Sequence, residues 1–134
     1  MTIKKGIYAA SMSIFKEDLL LDIDLTIKHA EKLMGAGCHG VVIFGSTGQA
    51  QLISSFEKKK LIEKLADSKF KGNFVIGTGD NSLNENIGLM KHSLGIGIDQ
   101  FLLMPPAYYK YGDHGAYSFY ANIIQKIPKS KIIL

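Results

Sequence analysis

Gly45-Ser46-Thr47-Gly48-Gln49 is the densest group of potential chemistry in the chain, with two hydroxyl residues between two glycines. Such a turn can present consecutive backbone N–H groups and two hydroxyls to a bound anion, a carboxylate or a phosphate. Composition alone leaves an ordinary strand-to-helix turn equally open. A second group is Met104-Pro105-Pro106-Ala107-Tyr108-Tyr109-Lys110-Tyr111, with three tyrosines in four residues. Two prolines stiffen this loop and end whatever strand precedes it. A tyrosine there can relay a proton, hold an oxyanion or anchor an interface, and packing is its plainer use. A third group is Gly77-Thr78-Gly79-Asp80-Asn81. It starts like a dinucleotide loop, but G-x-G-x-x-G fails at Ser82 and the loop follows the third strand-like run rather than the first. A tight turn that lets two backbones pass closely fits it better. No G-x-x-x-x-G-K-[ST] sequence occurs, and no cofactor is expected.

The remaining reactive residues point away from other chemistries. His29, His39, His92 and His114 show no metal-ligand spacing on a common element, so no metal site is expected. His29 and His92 fall in helical segments and read as surface residues. Cys38 is the single cysteine and cannot form an internal disulfide, which agrees with a reducing compartment. It precedes the second strand-like run and reads as structural. Net charge is +4, with scattered lysines and one block, Lys58-Lys59-Lys60, which reads as a solvated helix face. Clustered arginines with interleaved aromatics are absent, so nucleic acid is not an expected partner. No apolar run approaches the ~20 residues of a membrane span. The basic start Met-Thr-Ile-Lys-Lys-Gly leads into no secretory h-region, and a cytoplasmic location is expected.

These groups must be held by something. Apolar strand-like runs recur at Ile7–Met12, Val41–Phe44, Phe74–Ile76, Phe101–Met104 and Ile132–Leu134, a period of roughly 30 residues. Their nearly continuous apolar character suits parallel strands covered on both faces. Helical periodicity fills the gaps. Ser54-x-x-Glu57 and Ser82-x-x-Glu85 match the capping box, and Asp113 is a candidate cap for the fourth helix. Ile23, Ile27, Ala30 and Met34 mark the buried face of the first helix, which ends at Gly35 or Gly37. Tyr117, Tyr120, Ala121 and Ile124 mark that of the fourth. The three chemical groups then all follow strands, where parallel α/β folds place their sites.

Two α/β folds accept this pattern. One is an open, flavodoxin-like doubly wound sheet, complete at five strands, which would make the chain a binding or signalling domain. The other is the first four βα units plus the start of strand five of an eight-stranded (βα)8 barrel, which needs ~250 residues. Lys131-Ile132-Ile133-Leu134 opens a fifth strand with no helix after it, which favours the truncated barrel. Residues 1–134 then form the amino-terminal half of one barrel domain.

The order and spacing of Gly45-Ser46-Thr47-Gly48, Gly77-Thr78-Gly79 and Pro105-Pro106-Ala107-Tyr108-Tyr109 resemble the dihydrodipicolinate synthase / N-acetylneuraminate lyase family. Its members are Schiff-base-forming, pyruvate-dependent class I aldolases on a (βα)8 barrel. The resemblance runs over essentially the whole chain, through Gly115-Ala116-Tyr117 to Lys131-Ile132-Ile133-Leu134, and covers about half of a family barrel. It implies that the Ser46 and Thr47 amides hold the carboxylate of pyruvate and that the Ser46 hydroxyl joins a proton relay. It implies that Tyr108 completes that relay in a neighbouring subunit's site, and hence a two-fold dimer within a dimer of dimers. Gln49 stands where the family usually has glutamate. The imine-forming lysine, on strand six, and a second relay tyrosine would lie beyond Leu134. The implied partners are pyruvate, or another 2-oxo acid, and an aldehyde. A 4-hydroxy-tetrahydrodipicolinate synthase of lysine synthesis leads, and Ser46 in place of threonine keeps an N-acetylneuraminate or 2-keto-3-deoxy sugar-acid lyase in play. The 134 residues alone are expected to be inactive.

Overall fold

Three of the four α-helices start where a short polar side chain takes over an amide that the first turn leaves unpaired. The computed structural model describes residues 3–134. The Asp22 side chain accepts from Leu25 N–H at 2.9 Å and opens α1 (Ile23–Gly35). Ser54 and Glu57 form the full reciprocal box that opens α2 (Ser55–Lys64). At α3 (Leu83–Ile96) only half of the expected box forms. Ser82 accepts from Glu85 N–H, but the Ser82 amide donates to Asp80 instead, at 2.8 Å. The nearer carboxylate of the preceding turn wins that amide. Gly112, not Asp113, caps α4 (Asp113–Lys126). Asp113 lies inside the first turn, where its charge still complements the positive end of the helix dipole. Gly37 at φ 112° turns the chain after α1, as the glycine pair predicted.

Five strands separate these helices: β1 (Tyr8–Ala10), β2 (Gly40–Ile43), β3 (Phe74–Gly77), β4 (Gln100–Leu102) and β5 (Lys131–Ile133). All neighbouring pairs are parallel and the order is β1-β2-β3-β4-β5. That order decides between the two candidate folds. A doubly wound sheet reverses its strand order at a switch point. Here nothing reverses. Right-handed crossovers in an unreversed order put every helix on one face, which is how a barrel wall is built. In agreement, α1 packs on α2, α2 on α3 and α3 on α4, as neighbours in a single layer. The flavodoxin-like alternative is therefore excluded.

The core lies between sheet and helices. Ala30 and Met34 of α1, Leu61 and Ile62 of α2, Met90 of α3 and Ile123 of α4 join Val41, Ile43, Phe74, Ile76 and Phe101 in one apolar cluster. Every residue of β3 is buried, whereas the edge strands β1 and β5 are partly exposed. The periodicity located the face of α1 correctly. On α4 it chose a face one step round: Ile123 is buried, while Tyr117 and Ile124 are exposed. Both faces of α4 are apolar, and spacing alone does not distinguish them.

Candidate functional site

All three chemical groups gather at the carboxyl ends of β2, β3 and β4. Phe44, the residue after β2, has a left-handed φ of 57° although its side chain is fully buried. This conformation turns the chain sharply into Gly45-Ser46-Thr47-Gly48. It also lays the Phe44 carbonyl over Gly77, where an added Cβ would stand 2.1 Å from that oxygen. A Cβ on Gly48 would meet the Ser11 carbonyl oxygen at 3.0 Å, and Ser13 Oγ donates to the Gly48 carbonyl at 2.6 Å. The turn closes with Gln49 N–H donating to the Ser46 carbonyl at 3.0 Å, Gln49 itself at φ 53°.

Gly45 and Gly48 are buried while Ser46 and Thr47 are exposed, so glycines fasten the turn and hydroxyl residues face solvent. Among the described residues the Ser46 and Thr47 amides donate to no protein acceptor. The Ser46 hydroxyl donates to Met104 Sδ at 3.6 Å, across the end of β3. Ser46, Gln49, Ala50, Gln51, Leu52 and Met104 line an open pocket of 350 Å³. Free amides beside a small pocket suit an anion such as a carboxylate.

The β3 loop is held from three sides. Lys58 of α2 donates its ammonium to the Thr78 carbonyl at 2.8 Å. Asn86 of α3 donates to the Asp80 carbonyl at 2.8 Å and to the Ser82 carbonyl at 2.7 Å. Gly79, at φ 59°, packs so closely on Ala50 that a Cβ would stand 2.3 Å from the alanine methyl. Lys58 corrects the reading of Lys58-Lys59-Lys60 as a wholly solvated face: it is 1% exposed. Burial pushes its amine below the usual lysine range, and Asp80 partly opposes this. The signal was present in the sequence, since 58, 61, 62 and 65 share one helix face with Leu61, Ile62 and Leu65.

Glu57, beside it, ties the β1–α1 connection to α2 by accepting from Leu21 N–H at 2.9 Å. That bond, then the Ser54 hydroxyl, hold its carboxyl below the usual carboxylate range. Tyr108 is 93% exposed, has φ 75°, and meets Tyr109 edge-on at 5.2 Å between ring centroids. Ser46 and Tyr108 are thus not in contact within one chain. Tyr111 Oη donates to the Pro106 carbonyl at 2.6 Å and stiffens the loop. Asn81, Lys58 and Met104 shape the site, although residue types and spacing assigned them no individual role. His29 and His92 are half-buried rather than fully exposed, His92 lying 3.3 Å from Glu63. Cys38 is half-buried just before β2, away from these loops. Among the described residues no group of three His, Cys, Asp or Glu side chains could hold a metal ion, and no helix is long and apolar enough to cross a membrane.

A model of the dihydrodipicolinate synthetase family matches residues 4–134. The chain belongs to that family. It is 31% identical to an L-threo-3-deoxy-hexylosonate aldolase of Aspergillus niger, over 94% of this chain and 40% of the relative. It is 32% identical to a 4-hydroxy-tetrahydrodipicolinate synthase of Methanothrix thermoacetophila, over 90% of this chain and 41% of the relative. The crystal structure of dihydrodipicolinate synthase from Agrobacterium tumefaciens superposes with a TM-score of 0.87 and 30% identity, over 97% of this chain and 47% of that one. The chain therefore spans less than half the length of these relatives. Its five parallel strands and alternating helices match the amino-terminal βα units of the family's barrel.

Proposed function

We propose that this chain is the amino-terminal part of a Schiff-base-forming, pyruvate-dependent aldolase of the family, acting as a synthase or lyase. The observation that carries the reading is the Ser46-Thr47 turn: among the described residues its amides have no protein acceptor, and it sits at the end of β2 in a barrel wall. On this reading the two amides hold the carboxylate of a 2-oxo acid. The keto carbon then faces an amine supplied by the later half of the barrel. Addition of that amine gives a carbinolamine, whose hydroxyl leaves as water only if protonated. The Ser46 hydroxyl on one side, and Tyr108 reaching from a neighbouring subunit, would deliver that proton. The exposure of Tyr108 supports this use, because its ring stands in solvent rather than packed in its own chain's core. Lys58 is not the nucleophile. It belongs to a helix of the outer layer, and its amine is engaged by the Thr78 carbonyl.

For the substrate, condensation of pyruvate with aspartate semialdehyde leads, the reaction the family resemblance implies, and a 4-hydroxy-tetrahydrodipicolinate synthase among the relatives supports it. Ser46 in place of threonine, together with a deoxy-hexylosonate aldolase among the relatives, supports sugar-acid cleavage as the second reading. Borohydride reduction of the complete enzyme with pyruvate tests the chemistry. One reduced pyruvate per subunit, read as a mass increase, is the expected result; no adduct would refute it. The 134 residues alone should yield no adduct, because the amine comes from elsewhere.

A further inference from the structure

The loops after β3 and β4 are joined by one side chain. Asn81 Oδ1 accepts from the Ala107 N–H at 2.8 Å, and Asn81 Nδ2 donates to the Ala107 carbonyl at 3.3 Å. A primary amide thus pairs with both backbone groups of the residue immediately before Tyr108. The same Ala107 carbonyl also accepts from Tyr109 N–H at 3.0 Å, bridging over Tyr108 at φ 75°. An i to i+2 bond around a positive φ is the rare, strained form of the γ-turn. A bulky residue keeps such a conformation only where its surroundings over-determine it. The Tyr108 ring cannot do this, since it is 93% exposed. The restraint must come from the backbone, and Asn81 grips the first residue of the turn at both ends.

Asn81 is itself well placed to act as a fixed anchor. Its loop is pinned by Lys58 at Thr78, by Asn86 at Asp80, and by Asp80 Oδ1 accepting from Ser82 N–H at 2.8 Å. Yet Asn81 is exposed and contributes nothing to the apolar core.

We propose that Asn81 is a positioning residue, whose amide clamp on Ala107 holds Tyr108 in the strained turn that projects its ring outward. The catalytic consequence rests on the function proposed above. In the complete enzyme, Asn81→Ala should slow imine formation, followed by timed borohydride trapping, about tenfold, a part of what general acid catalysis supplies. Half-saturation by pyruvate should stay within about twofold, because the clamp does not touch the carboxylate site. If Asn81 acts through Tyr108, the double variant Asn81→Ala/Tyr108→Phe should be no slower than Tyr108→Phe alone. Asn81→Asp keeps the acceptor and loses the donor, and should fall between.

Hydrogen exchange supplies a readout independent of catalysis. The Ala107 and Tyr109 amides should lose about five- to tenfold protection in Asn81→Ala, with α3 unchanged. Unchanged exchange there, or additive rate losses in the double variant, would overturn the proposal. Failure of the wild-type enzyme to form any pyruvate adduct would instead sink the function reading, and the exchange experiment would still decide the clamp. Should Asn81→Ala fold poorly, Asn81→Ser, whose shorter side chain cannot pair with both backbone groups of Ala107, carries the same comparison.

Discussion

Gly77→Ala and Gly88→Ala make the same chemical change and should have opposite effects. At Gly77 the new methyl would stand 2.1 Å from the Phe44 carbonyl oxygen, 2.5 Å from its carbon and 2.9 Å from the Gly45 nitrogen. All three are backbone atoms, so no side chain can swing away. The strands must part by about 1 Å at the point where β2 turns into Ser46-Thr47, and such overpacking costs about 3 kcal/mol. With unfolding entropy near 2.1 cal/mol/K per residue, that lowers Tm by about 10 °C. At a urea slope of about 1.5 kcal/mol/M, the midpoint falls by about 2 M. Gly88 lies inside α3, where an added Cβ meets nothing within 4 Å. There alanine should stabilise by about 1 kcal/mol through helix propensity. Urea titration followed by far-UV circular dichroism reads both. Two shifts of the same sign, or a Gly77→Ala loss below about 0.5 kcal/mol, would refute the claim that backbone contact over Gly77 shapes the site turn.

Two further outcomes concern titrating groups. Glu57→Ala removes the carboxylate from the Leu21 amide and from the capping box, and should cost about 1–2 kcal/mol at pH 7. Because the folded carboxyl titrates below the usual 4.5, its stabilisation is present above that value and lost as pH falls through the folded one. The gap between wild type and Glu57→Ala in urea midpoint should therefore narrow in acid. Lys58 behaves in the opposite sense from a lysine that gains a charged partner. Its folded amine releases its proton below the ordinary 10.5, so the unfolded chain binds more protons between the two values. Wild-type stability measured against Lys58→Met should rise as pH rises through that alkaline window, and a fall would show that the amine is not desolvated.

The alternation of strand and helix, the cap residues Ser54 and Ser82, the αL glycine at 37 and the grouping of Ser46, Thr47 and Tyr108 after strands were all legible from residue types and spacing. Those features arise from local physics: orphan amides need caps, positive φ favours glycine, and buried parallel strands are apolar throughout. Strand order was not legible, because a run of apolar residues carries no record of its neighbour. The motifs after strands two and four had pointed to the barrel through the family resemblance, and the unreversed β1-to-β5 sheet bears that out against a doubly wound sheet. The buried amine of Lys58, the carbonyl of Phe44 laid over Gly77 and the Asn81 clamp on Ala107 also needed the tertiary structure. Each joins residues at least 20 positions apart in the chain. Their partners are backbone groups, which every residue possesses and which no side-chain pattern announces.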